Sequence, residues 1–221
     1  MQFQNRYVEL KNITLSYGCR TILRDVNLLL NRGDFMIVSG ANGGGKTSLI
    51  RIMLGLQKPT AGEVLYYGEN FSHATIRGEN IGYLPQKNSL DMSFPISIRE
   101  VVESGLMNIK TTDSEREERV EEMLQSMQLD SLQHRHIGEV SGGQFQRALF
   151  ARAIISKPKL VVLDEPTSYL DEESTQKLFS ILKQLSPDTT VVAVLHDTTK
   201  ALDVANRRIE VENGVVVERF L

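Results

Sequence analysis

The chain has 221 residues, 41% of them hydrophobic and 24% charged, with a net charge of −3. That length buries a substantial core, and the balance of charge excludes the overall basic field that gathers nucleic acid by counterion release. Its longest apolar runs, such as residues 160–163 and 191–195, fall far short of the roughly 20 residues a bilayer span needs.

The first residues, Met1-Gln2-Phe3-Gln4-Asn5-Arg6, lack the apolar stretch of a signal peptide. A single cysteine, Cys19, excludes an intramolecular disulfide framework and suits a reducing compartment. The expectation is a soluble, intracellular protein that crosses no membrane alone. Tyr7-Val8-Glu9-Leu10 and Ile13-Thr14-Leu15-Ser16-Tyr17 then alternate in the strand manner, and Gly18 turns the chain into Thr21-Ile22-Leu23. An apolar strand over 35–39 follows, with another strand over 62–67. This run predicts an antiparallel β region folded onto a later α/β core, with 62–67 in the same sheet.

From about 87 to 140 the pattern turns helical. Ser114-x-x-Glu117 reads as a capping box, and Val120, Met123, Leu124 and Met127 fall on one helical face while Glu115, Glu118, Glu121 and Glu122 face elsewhere. Beyond it, strands over 159–164 and 190–195 alternate with helices over 171–185 and 198–205, the rhythm of a parallel sheet with crossover helices. Residues 208–221 read as a hairpin around Asn213-Gly214. The expected organisation is one domain of two lobes: a catalytic α/β lobe of about 1–86 and 157–221, and a helical lobe of about 87–156.

Gly40-Ala41-Asn42-Gly43-Gly44-Gly45-Lys46-Thr47 matches the phosphate-loop pattern G-x-x-x-x-G-K-[ST] between an apolar strand and a helical pattern. The glycines let backbone N–H groups approach phosphate oxygens without a Cβ in the way, and the helix start adds its positive end. Lys46 is placed to reach β- and γ-phosphates, Thr47 to offer a hydroxyl to Mg²⁺, and Ser48 to bond the α-phosphate. The apolar run 160–163 ends in Asp164-Glu165. Strand ends of open α/β sheets gather ligands, so Asp164 is expected to hold Mg²⁺ and Glu165 to orient or deprotonate the attacking water.

Ser141-Gly142-Gly143-Gln144, followed by Phe145-Gln146-Arg147-Ala148-Leu149-Phe150-Ala151-Arg152-Ala153, resembles the signature and helix of the ATP-binding cassette (ABC) ATPases. As residues alone, Ser141 and Gln144 form a capping box, and the two glycines leave a second helix end open to an anion. The resemblance runs from Tyr7 to the final hairpin. It implies a RecA-like parallel core with an antiparallel β subdomain and an inserted helical signature subdomain. It also implies that Tyr17 stacks on adenine, that Gln86 touches Mg²⁺ or water and couples to a membrane partner, and that Ser168-Tyr169-Leu170-Asp171 crosses to a second subunit. His196 would be the switch histidine that contacts the γ-phosphate.

A head-to-tail homodimer with ATP sandwiched between the subunits follows from the same resemblance. Ala41 where the family usually has proline, Gly44 where alanine or serine is common, and Val140 before the signature are small departures that remove no catalytic group. The segment from Ser93-Phe94-Pro95 to Gly105 resembles ATPases of zinc and manganese importers and, more loosely, of iron-chelate importers. It would form the groove for a helix of a permease, with a substrate-binding protein in the complex and the ATPase on the inner face of the membrane. His134 and His136 make an H-x-H without further ligands. A soluble ABC ATPase without a membrane partner, such as an iron–sulfur assembly subunit, and a nucleotide sensor without turnover are the other classes. Glu165 and His196 disfavour the sensor.

Overall fold

A computed structural model describes residues 5–66, 71–72, 75–76, 81–86, 91–185 and 188–220. In chain order, β1 (Arg6–Tyr17), β2 (Arg20–Asn31), β3 (Phe35–Gly40), α1 (Lys46–Met53), β4 (Ala61–Tyr66), β5 (Phe71–Ser72) and β6 (Thr75–Ile76) lead to β7 (Ile81–Leu84). Then come α2 (Ile98–Glu103), α3 (Asp113–Ser126), α4 (Gly142–Ile154), β8 (Leu160–Asp164), α5 (Glu172–Leu185), β9 (Thr190–Val194), β10 (Arg207–Glu212) and β11 (Val215–Arg219).

Two sheets carry the fold. β2, β1 and β4 form an antiparallel sheet, and the segment over 62–67 joins it as expected, with Tyr67 outside the described residues. The second has the order β11-β10-β3-β9-β8-β7, parallel from β10 to β7 and closed by antiparallel β11. Because successive side chains point to opposite faces, the parallel strands feed two cores. Leu160, Val162, Val192 and Val194 pack with Leu49, Ile50 and Met53 of α1 and with the antiparallel sheet. Val161, Leu163, Val191 and Ala193 pack instead with Phe145 and Leu149 of α4 and Leu178 and Leu182 of α5. Burial on both faces is why 160–163 and 191–195 read as unbroken apolar runs.

The hairpin at the C-terminal end forms as read: Asn213 (φ 49°) and Gly214 (φ 80°) both take the left-handed region that its two-residue turn requires. Arg207 ties it to the body through Asp34 (2.7 Å) and the carbonyl of Leu29, and braces its two strands through Glu218 (2.9 Å).

Three local expectations are corrected. The helix read from Ser114 and Glu117 begins two residues earlier: Thr112 is extended at ψ 160° and caps it, accepting the Glu115 N–H at 3.2 Å while Glu115 accepts the Thr112 N–H at 3.1 Å. Both Thr112 and Ser114 have a glutamate three residues on; the earlier pair puts Asp113 and Glu115 in the first turn and keeps the basic Arg116, which the helix dipole disfavours there, out of it. Glu117 pairs with Arg99 instead. Val120, Leu124 and Met127 are buried as expected, with Met123 at the margin and the four glutamates exposed.

The helix read over 198–205 is only a 3-10 turn, Thr199–Ala201. Asp197 accepts both the N–H and the hydroxyl of Thr199 (3.0 and 2.6 Å), a local bond that competes with helix formation. Asn206 then accepts the Phe35 N–H at 2.9 Å, drawing the chain toward β10. Third, the helix read from Asp171 starts at Glu172, with Asp171 as the residue whose carboxylate accepts the Ser174 N–H at 2.8 Å. Residues 1–4, Lys87 and Leu221 lie outside the described residues.

Candidate active site

β3 delivers the chain to Gly40, the loop turns over residues 41–45, and α1 starts at Lys46. Gly45 precedes the helix at φ 105° and gives it no side-chain cap. A Cβ there would stand 3.0 Å from Leu23 Cδ2 and 3.1 Å from the Ile22 carbonyl oxygen, and one at Gly40 (φ 134°) only 2.3 Å from the Val211 carbonyl oxygen. Only glycine combines these dihedrals with that closeness. The start of α1 therefore opens its N–H groups toward the loop, an anion-binding arrangement. Lys46 is buried, its Nζ donating to the carbonyls of Gly40 (2.8 Å) and Ala41 (2.9 Å), so the charge sits inside its own loop.

β8 and β9 are adjacent and parallel, which brings Asp164, Glu165 and His196 together at their carboxyl ends. Asp164 is 1% exposed, and neither carboxylate oxygen has a hydrogen-bond partner among the described residues. Burial pushes its pKa above the usual carboxylate range. The Thr47 hydroxyl and the charges of Lys46 and Arg51 oppose that rise, while Glu165 adds to it. An orphaned buried carboxylate facing a threonine hydroxyl is a hard oxygen donor set of the kind Mg²⁺ takes, so these residues fit that ion.

Glu165 follows with φ 55°, unusual for a residue with a Cβ, and its N–H bonds the Val194 carbonyl at 3.1 Å. Such strain is kept where the surroundings over-determine it, typically at working sites. Its Oε1 stands 2.9 Å from His196 Nε2.

Tyr17, Asn42, Gly43, Gly45, Lys46, Thr47, Ser48, Gln86, Glu165 and His196 line one cleft of about 390 Å³. The cleft thus brings Tyr17, Gln86, Glu165 and His196 to the phosphate loop, while Gly40, Ala41, Gly44 and Asp164 of the expected site are not among its lining residues. Two further lining residues, Arg20 and Ile22, escaped that reading. Their signal was available: a two-residue turn at Gly18-Cys19 sets Arg20 opposite Tyr17 in the β1–β2 hairpin. Cys19 is an exposed thiol at its tip.

Ser141, Gly142, Gly143, Gln144 and Asp171 do not line this cleft. At the start of α4, Ser141 Oγ accepts the Gln144 N–H at 3.2 Å and Gln144 Oε1 accepts the Ser141 N–H at 2.8 Å, the expected capping box. A Cβ on Gly143 would come within 2.8 Å of the Tyr169 carbonyl oxygen. Gln146, buried, donates to the Pro166 carbonyl at 3.2 Å. Residues following Glu165 are thereby strapped onto α4, so the smallness of Gly143 serves this packing as well as any ligand.

Away from the cleft, Phe94 is 61% exposed and borders an apolar hollow of about 350 Å³ with Ile96, Val101, Phe145 and Leu149. His136 opens a short 3-10 turn, its N–H bonded to Glu139 at 2.8 Å. No helix among the described residues is long and apolar enough to cross a membrane.

Residues 23–168 match the family model described as ABC transporter. The chain belongs to that family, as an ATP-binding cassette. The Fe(3+) ions import ATP-binding protein of Escherichia coli O157:H7 is 32% identical over 218 residues, which is 97% of this chain and 62% of that protein. The sulfate/thiosulfate import ATP-binding protein of Pectobacterium atrosepticum is 35% identical, over 95% of this chain and 64% of that protein. The chain thus spans less than two thirds of the length of these two relatives. A zinc uptake system ATP-binding protein of Listeria innocua is 31% identical over 97% of this chain and 86% of its own length. Among solved structures, a dimeric ATP-binding cassette in a post-hydrolysis state with ADP and Pi superposes at a TM-score of 0.85, with 32% identity, covering 96% of this chain and 97% of that one. Parallel core, antiparallel β subdomain and helical insertion are all those of the ABC cassette.

Proposed function

We propose that this cassette hydrolyses ATP as the peripheral, inner-face subunit of an import system, working as a head-to-tail homodimer against a membrane permease. The observation that carries the reading is the convergence in one cleft of the phosphate loop, Tyr17 and the Glu165–His196 pair at 2.9 Å, with the buried Asp164 next to Glu165 in the chain. ATP would lie with its base on Tyr17 and its phosphates at residues 40–48. Mg²⁺ held by Thr47, Asp164 and Gln86 would supply positive charge to the phosphate oxygens.

Hydrolysis forms a bond from water oxygen to the γ-phosphorus and breaks the one to the β–γ bridging oxygen, releasing ADP and phosphate. Glu165 takes the proton of the attacking water, and His196, already beside it, orients that carboxylate and contacts the γ-phosphate. Ser141–Gln144 and Asp171 lie outside the cleft of their own chain. That placement supports a composite site in which a second copy supplies the signature end. It accords with the dimeric state of the structurally similar cassette.

Phe94 and its apolar hollow in the α2–α4 region form the surface for a permease helix, with a substrate-binding protein delivering cargo. The Fe(3+) and zinc relatives favour a metal ion as that cargo. The 35% identity to the sulfate/thiosulfate protein supports an oxyanion as the second reading. Uptake of labelled zinc or iron against labelled sulfate, in cells lacking the gene, separates the two.

Glu165→Gln tests the core of the proposal. It keeps size and hydrogen bonding but removes the base, so turnover should fall roughly 10²–10⁴-fold while Mg·ATP still binds. With hydrolysis blocked, gel filtration should give a dimer with ATP and a monomer without it. Wild-type turnover would sink the assignment of the base, and an ATP-saturated variant that stays monomeric would sink the composite site.

A further inference from the structure

Eight residues of α4 are buried; seven are apolar, and the eighth is Gln146. It is 2% exposed. Its Nε2 donates to the Pro166 carbonyl at 3.2 Å, while its Oε1, also buried, has no partner among the described residues. An amide satisfied on one side only adds little stability, because the buried orphan oxygen costs about as much as the single bond contributes. An apolar side chain of the same length would fill the space without that cost. What the glutamine adds is a fixed partner for one backbone atom.

That atom lies one residue beyond Glu165. Glu165 is left-handed at φ 55°; its N–H is held by the Val194 carbonyl at 3.1 Å, and its own carbonyl accepts the Ser168 N–H at 3.2 Å. Pro166 follows with its φ fixed by the ring, so anchoring its carbonyl removes much of the freedom left to the segment. Tyr169 is left-handed too (φ 68°), and its carbonyl lies so close to Gly143 that a Cβ there would come within 2.8 Å. Residues 165–169 thus carry strained backbone at both ends and are held against α4 at Pro166 and at Tyr169. Strain of this kind persists only where the surroundings over-determine it. Within this frame the Glu165 carboxylate stands 2.9 Å from His196 Nε2.

We propose that Gln146 is a positioning residue for hydrolysis: by holding the Pro166 carbonyl it keeps the strained Glu165 aimed at His196 and at the attacking water. Gln146 does not line the cleft, so it acts through the backbone of Pro166 and not on the nucleotide. The inference rests on the reading of Glu165 as the base.

Gln146→Met keeps length and bulk but removes the donor. In the full chain kcat should fall about 10-fold, while KM and the Kd for Mg·ATP stay within about twofold, because the phosphate loop is untouched. The second arm uses the Glu165→Gln background. With the base gone there is nothing left to position, so adding Gln146→Met should change residual turnover and ATP-driven dimerisation by less than about twofold. Should the methionine variant fail to fold, Gln146→Asn, one methylene short of the carbonyl, should show the same loss of kcat. An unchanged kcat with a lowered melting temperature would make Gln146 a packing residue and overturn the proposal. A further loss of about 10-fold on top of Glu165→Gln, or a loss of dimerisation, would place its effect at the signature end and overturn it as well. Wild-type turnover in Glu165→Gln alone would remove the base itself, and the proposal with it, which sets that failure apart from the others.

Discussion

Two helices of this cassette begin beside glycines, and their first turns are in opposite chemical states. At α1 the preceding residue is Gly45, left-handed and without a side-chain cap, so the helix end opens toward the loop around Lys46. At α4 the preceding residue is Ser141, which exchanges hydrogen bonds with Gln144, and Gly143 lies under the Tyr169 carbonyl. One end is built to be completed by a ligand; the other is already satisfied within its own chain. An anion reaching α4 must compete with the serine hydroxyl, whereas one reaching α1 displaces no side-chain cap. Glycine content alone does not mark an anion site. What matters is which backbone donors remain after local capping and packing.

The difference can be broken most sharply at α1. Lys46→Ala removes the one full charge inside the loop, and Mg·ATP affinity should fall roughly 100-fold or more, equivalent to about 3 kcal/mol from lost charge-assisted hydrogen bonds. Isothermal titration checks this, and unchanged binding would show that the phosphates lie elsewhere. At α4 the expected change is smaller and of another kind. Ser141→Ala deletes a cap worth about 1 kcal/mol, which should lower the melting temperature by about 2–4 °C in a chain of this size. Placed in the Glu165→Gln background, the same change should weaken ATP-driven dimerisation more than it weakens nucleotide capture by a single chain. A variant that dimerises as readily as its parent would remove α4 from the composite site.

An effect of similar size but opposite sign sharpens the contrast between a site awaiting a ligand and one at rest. Asp164 is buried with a raised pKa and no full hydrogen bond among the described residues. Such an acid binds its proton more tightly folded than unfolded, so it costs stability above its folded pKa, and that cost disappears as pH falls through that pKa toward the ordinary carboxylate range. Asp164→Asn should therefore stabilise the nucleotide-free chain at neutral pH by about 1 kcal/mol, or roughly 2–4 °C. The gain should shrink on acidification, while the extra stabilisation by Mg·ATP over ATP alone is lost. Thermal melts at pH 7 and pH 5, with and without nucleotide, measure both. A neutral-pH melting temperature lower than that of the wild type would contradict the orphaned-carboxylate account.

How far the sequence could be read depended on the range of the forces involved. The phosphate loop, the carboxylates after β8 and the box at Ser141 were legible because glycine dihedrals, strand burial and capping act within a few residues. The helix start at Thr112 was misplaced because two overlapping boxes satisfy the same local rule, and the glutamate of the second was claimed by Arg99 from another helix. The helix read over 198–205 failed for a similar reason. Asp197 offered a local hydrogen bond, and Asn206 was drawn to Phe35 on β3, distant in sequence.

By itself the sequence determined the inventory: which loop cradles phosphate, which strand ends in acid, which helix begins with a cap, and the family these belong to. Tertiary structure alone decided the distances. Parallel pairing of β8 with β9 put Glu165 2.9 Å from His196. Burial left the Asp164 carboxylate oxygens without a full hydrogen bond among the described residues. Packing of residues 166–169 on α4 held the signature end outside the cleft. The hairpin register set Arg20 opposite Tyr17, where both line the cleft. Composition and spacing describe what each segment can bond. Which of those bonds is left open is settled only when strands distant in sequence come side by side and remove water from between them.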